Sequence, residues 1–302
     1  MQKTTKKEHL TFNEAKKLIS SMNLINDFLW TSANEDKDDA KKIAGIILST
    51  VLGYKVEVED VETQKVLSGV DTIYHGIRMD AHILSSSEKH KAISTSYDIE
   101  MEDRESDRPA LPRRSRFYSA ISDSKNLPSG DDYLNLPDFI SITILSYDPF
   151  LLGDMYYIAK SKLITHPDYD YNDGRTNIFL YAGGKPNFPN ENYGKKVSEL
   201  LQYIVNGAVS ASPDKSISEL DNIVQKVKSR SEVTIKLMKQ WDRERIHDFE
   251  LTRKDAIKLI RSNRRHNIPD EATRQDIIID YGYDSETIDA LFKEVDTNCQ
   301  VI

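Results

Sequence analysis

Three acidic side chains, Asp80, Glu100 and Glu102, draw attention by type and by spacing. Across Gly76 to Leu84 the apolar Ile77, Met79, Ala81 and Ile83 alternate with Arg78, Asp80 and His82, which is the period of a β-strand. In Tyr97-Asp-Ile-Glu-Met-Glu102 the apolar Tyr97, Ile99 and Met101 alternate with Asp98, Glu100 and Glu102, and Ser87-Glu-Lys-His90 lies between the two runs as a turn. Such a hairpin brings one carboxylate from its first strand and up to three from its second onto polar faces that can coincide. Carboxylate oxygens suit a hard divalent cation such as Mg2+ or Mn2+ that keeps several waters. An ion held there lowers the pKa of a bound water and neutralises charge building up on a phosphodiester. The same alternation also describes a hairpin whose charged face is merely solvated, and spacing alone leaves both readings open. His82 shares the strand face of Asp80, as a second group near the ion or as an ordinary surface residue.

Positioning these groups requires the elements around them. Ile43, Ile46, Ile47 and Val51 recur at helical spacing behind the acidic run at 35–39, and Gly53 ends the pattern. The stretch Tyr54 to Val66 reads as strand or edge structure. After a charged loop at 103–112, Arg113 to Ser122 reads as a helix carrying Arg113, Arg114, Arg116 and Tyr118, and residues 103–117 hold five arginines against three acids. Guanidinium groups so placed can grip backbone phosphates in bidentate fashion, or simply face solvent. Pro137 to Leu145 reads as a buried strand entering the turn Ser146-Tyr-Asp-Pro149, with further β-rich stretches at 156–164 and 177–182. Strand, strand, helix, strand is an α/β order.

The runs Gly76-Ile-Arg-Met-Asp80, Tyr97-Asp-Ile-Glu-Met-Glu102, Arg113-Arg-Ser-Arg-Phe-Tyr118, Gly130-Asp-Asp-Tyr-Leu-Asn-Leu-Pro137 and Tyr147-Asp-Pro-Phe150, in this order, resemble the PD-(D/E)XK nuclease family transposases, the recombination-promoting nuclease group. The resemblance covers roughly 35–165 and extends loosely beyond. It implies a restriction-endonuclease-like mixed sheet flanked by helices, with Asp80 as a metal-binding aspartate and Glu100 as a second ligand. Position 102 is the place of the lysine in the superfamily name, commonly glutamine in this group. Glu102 departs from both. A lysine there orients the attacking water, whereas a glutamate can bind metal or accept a proton but adds negative charge facing a phosphate. The resemblance also implies an acidic residue on the helix before the sheet, Asp39 or failing it Asp36, as a peripheral ligand, although acids in a first helical turn are ordinary capping chemistry.

Composition narrows the classes. The 302 residues carry 41 Lys+Arg against 49 Asp+Glu, a net charge of −8, with 38% apolar and 30% charged residues, which marks a folded chain and argues against a passive, basic nucleic-acid coat. No apolar run is long enough for a membrane helix, and the start of the chain lacks a signal-peptide pattern, so a cytoplasmic protein is expected. The single cysteine, Cys299, excludes an internal disulfide framework and a thiolate zinc site. From about 194 the pattern is helical only, which divides the expectation into an α/β nuclease-like core, 1–193, and a helical C-terminal region, 194–302. There residues 239–266 hold nine Lys/Arg and five Asp/Glu, while 267–296 hold two and nine. If this half touches DNA, the basic stretch 253–265 is the better candidate, and the acidic helices suit protein contact or packing. The expected function is a Mg2+- or Mn2+-dependent DNA endonuclease in recombination, mobile-element biology or defence, with a homo-oligomer among the partners the expectation allows. The competing expectations are a catalytically impaired relative kept for binding DNA or protein, and a regulatory α/β protein without a nucleic-acid role.

Overall fold

The structure, a computed structural model, describes the backbone of residues 9–67, 77–87, 95–127 and 129–299, and of these the side chains of all but 63–67, 77–82, 84–87 and 298–299. The side chains of Asp80 and His82, the turn at 88–90 and the Cys299 side chain therefore lie outside the described residues.

Two short helices, α1 (Phe12–Ser21) and α2 (Asp27–Ala33), precede the helix expected around Ile43, which is α3 (Lys37–Leu52). Asp36 caps α3, accepting from the backbone N–H of Asp38 at 3.1 Å and of Asp39 at 3.0 Å. Gly53 ends it in the left-handed region (φ 74°), where a side chain is costly, and donates its N–H to Ser49. The buried side of α3 runs through Ala40, Ile43, Ala44, Ile47, Leu48 and Val51.

Three strands follow, β1 (Val56–Leu67), β2 (Ile77–Ser87) and β3 (Thr95–Glu102), then the helix α4 (Leu111–Asn126) and β4 (Asp138–Leu145). Two more strands, β5 (Tyr156–Ala159) and β6 (Arg175–Tyr181), complete one six-stranded mixed sheet in the order β1-β2-β3-β4-β6-β5. Neighbours β1/β2, β2/β3 and β5/β6 run antiparallel, and β3/β4 and β4/β6 run parallel. The expected strand at 156–164 is shorter because β5 is an edge strand that pairs only through Ala159 opposite Asn177; residues 160–174 are exposed or nearly so.

The alternation in β3 does not produce a solvated face. Tyr97 and Ile99 are buried on one side, and Asp98, Glu100 and Glu102 are buried on the other. Two things cause this: β3 lies inside the sheet with partners on both edges, and α4 covers the carboxylate side, where Leu111 packs with Leu145, Tyr147 and Phe179. Small polar groups of α4, Ser115, Ser119 and Ser122, are buried there too.

The remaining helices are α5 (Glu191–Asn206), α6 (Lys215–Ser229), α7 (Ser231–Arg265), α8 (Asp270–Tyr281) and α9 (Ser285–Cys299). The helix-only pattern begins near 194, but compactness divides the chain at 230/231: Ile19–Arg230 is one unit, and the described parts of Met1–Leu18 and Ser231–Ile302 form another. Helices α5 and α6 belong with the sheet because their apolar faces (Val197, Leu200, Leu201 and Ile204; Ile217, Leu220, Val224 and Val227) are buried and both pack on α3. In the second unit Ala256 and Ile260 of α7, Ile277 of α8, and Ile288, Leu291, Phe292 and Val295 of α9 share one core. Among the described residues no helix is long and apolar enough to cross a membrane.

Candidate functional site

The register of β2 against β3 sets Ala81 opposite Ile99, His82 opposite Asp98 and Ile83 opposite Tyr97. The ladder ends at the Ala81–Ile99 pair, so residue 80 of β2 and Glu100 of β3 each lie one position beyond it.

From β3 the Glu100 and Glu102 side chains reach a cavity of about 430 Å³ lined also by Asn26 and Asp27 at the start of α2, Arg104, and Arg114 and Tyr118 of α4. Glu100 is 8% exposed and Glu102 4%. Burying a carboxylate is costly unless donors meet it. Glu102 has two: Oε1 accepts the backbone N–H of Arg104 at 3.0 Å, and Oε2 accepts Nη2 of Arg114 at 2.5 Å. Nη1 of Arg114 also lies 3.9 Å from Asp107. Burial works against a charge on Arg114, but its hydrogen bond to Glu102 and the negative charges of Glu102 and Glu100 outweigh that and hold it more firmly protonated than usual. Beside this pair, Arg108 lies over the ring of Tyr147 at 5.5 Å, and burial together with the Glu102 charge pushes the Tyr147 hydroxyl up to about 12.

The other sequence candidates fall elsewhere. Arg113 and Arg116 are exposed on α4 and remain open to solvent, whereas Arg114, grouped with them as a DNA contact, turns into the carboxylate pocket. That regrouping follows from helix geometry, since positions 113 and 116, three residues apart, share one face while 114 is turned away from it. Asp39, the candidate peripheral ligand, already has ion-pair partners. It is buried with its charge already met by two cations of α6 and the residue after it: Nζ of Lys226 donates at 3.0 Å to Oδ2 and 3.3 Å to Oδ1, and Nη2 of Arg230 donates at 3.2 Å to Oδ2. Asp36, the fallback, is spent on the helix cap. Among the described residues no group of three or more His, Cys, Asp or Glu is arranged to hold a metal, a set that leaves the Asp80 side chain aside.

Three contributors escaped the sequence reading. Asn26 and Asp27 line the cavity from a helix too short to show periodicity, although Asn-Asp ahead of Phe-Leu-Trp is a capping signal that could have located it. Arg104 contributes its backbone, which no residue pattern announces. Compared with known proteins, the chain matches no family model, no curated protein and no solved structure.

Proposed function

We propose that this protein is a metal-dependent DNA endonuclease of the PD-(D/E)XK type, serving recombination, a mobile element or defence. The observation that carries the reading is the burial of Glu100 on an interior strand, lining a cavity and lying on the strand paired with the one that carries residue 80. A buried carboxylate facing a cavity is a costly arrangement that function can justify. The element order α3-β1-β2-β3-α4-β4, with three antiparallel strands followed by a parallel one, agrees with the restriction-endonuclease-like core that the motifs imply. Glu100 and Asp80 would hold a hard cation through carboxylate oxygens, with the remaining ligands from water. Such a cation, when bound, activates a water for attack and offsets charge on the phosphate. The exposed Arg113 and Arg116 would engage flanking phosphates.

Supercoiled plasmid incubated with and without Mg2+ or Mn2+ tests this. Nicking that needs metal and is lost in Asp80→Ala and Glu100→Ala supports it; absence of nicking by the wild-type protein with either metal refutes it. A second reading is favoured by Glu102, whose charge stands where the motif places lysine or glutamine: a relative that binds DNA without cutting it. Metal-independent DNA binding with no nicking would select that reading.

A further inference from the structure

Glu102 and Arg114 lie twelve residues apart on different elements and meet in a bond of 2.5 Å between side chains that are 5% and 24% exposed. Both Glu102 oxygens are engaged, one by this guanidinium and one by the Arg104 N–H. For Glu102 to bind a cation, Arg114 would have to give up its partner inside a pocket that already holds Glu100. That exchange sets two like charges against each other and is unfavourable.

Resting on the nuclease reading, we infer that Glu102 is not a metal ligand but the anchor of Arg114, and that Arg114 is the cation that receives the phosphodiester at this site. The guanidinium is a rigid fork with five N–H donors, shaped for two-point contact with phosphate oxygens. Glu102 fixes its direction from one side while the side chain remains part of the cavity wall beside Glu100 and Tyr118. The positive charge absent from the strand at 102 is therefore present in the pocket, delivered from α4. Glu102 acts as a positioning residue, since it reaches the substrate only through Arg114. The pair is neutral together, so Glu102 orients the fork while offsetting part of its pull on an anion.

The full-length protein tests both halves. Direct Mn2+ titration followed by electron paramagnetic resonance should give Glu102→Gln an affinity within about threefold of wild type, while Glu100→Gln loses about tenfold or more, at least the loss that disturbing a metal site's outer shell causes. In plasmid nicking, Arg114→Ala should lower kcat by about a hundredfold or more, as loss of a donor to transition-state charge does. Arg114→Lys should recover part of this, and added guanidinium ion should recover part of it in Arg114→Ala, which a purely structural arginine would not show. Thermal melting of each variant identifies loss of fold. An equal loss of Mn2+ affinity in Glu102→Gln and Glu100→Gln, or full activity in Arg114→Ala, overturns the inference while the nuclease reading stands. A wild-type protein that neither binds Mn2+ nor nicks overturns both.

Discussion

Replacing Asp39 by alanine tests whether this buried acid ties helices together or holds a metal. In the structure it joins α3 to the end of α6 through Lys226 and Arg230, whose side chains are 57% and 27% exposed. The Lys226 pair is surface-like and worth at most ~1 kcal/mol. The Arg230 bond is better shielded and, as a charge-assisted hydrogen bond, is worth about 1.5 kcal/mol. Both cations can regain water after the change, so no buried charge is orphaned and the larger penalty of a broken interior pair does not apply. The sum is about 2 kcal/mol, which for a unit of this size lowers the melting temperature by roughly 4–8 °C. Circular dichroism melts of the wild type and Asp39→Ala read this directly. A double-mutant cycle with Arg230→Met should return a coupling of about 1 kcal/mol. An unchanged melting temperature accompanied by a tenfold loss of Mn2+ affinity would refute the reasoning and restore Asp39 as a ligand.

The helical unit and the tyrosines give two further outcomes. Phe292 is 4% exposed, with Arg264 and Arg274 over its ring at 5.3 and 4.5 Å, so Phe292→Ala should cost about 3–5 kcal/mol and remove hydrogen-exchange protection from α8 and α9; unchanged protection there would count against the packing described. Burial raises the hydroxyl pKa of Tyr97, Tyr147, Tyr193 and Tyr203, with the Tyr54 hydroxyl adding to it at Tyr97 and Asp221 at Tyr203. A folded chain that holds these protons more tightly than the unfolded chain, where tyrosine titrates near 10, keeps their full stabilisation below about pH 10 and loses it as pH rises through the folded values. Alkaline titration followed by tyrosinate absorbance should show a late, unfolding-linked step that shrinks in Tyr147→Phe; a single simple transition near pH 10 would contradict it.

Much of the scaffold was legible because its determinants are local. Alternation at 77–83 and 97–102 marks strands whatever surrounds them, and Asp36 before the apolar run with Gly53 after it marks α3. The helix at 113–122 and the strand at 137–145 were visible for the same reason. Missed elements were short or carried no period: α1 and α2 are ten and seven residues, and the end of β5 depends on how far its neighbour extends. The sequence could not tell a solvated carboxylate face from a buried one, since alternation is the same in both and burial depends on whether a strand ends at an edge or inside the sheet.

Residue type and spacing were enough to place Asp80 and Glu100 on two neighbouring strands, because each strand's alternation is a two-residue period written in the chain itself. Tertiary structure alone decided which charges meet. Asp39 finds its cations 187 and 191 residues away, and Glu102 finds Arg114 only because α4 folds back over β3. Side-chain partners across elements are set by packing and by the cost of leaving a buried charge unmet, and neither quantity is carried by any short stretch of sequence.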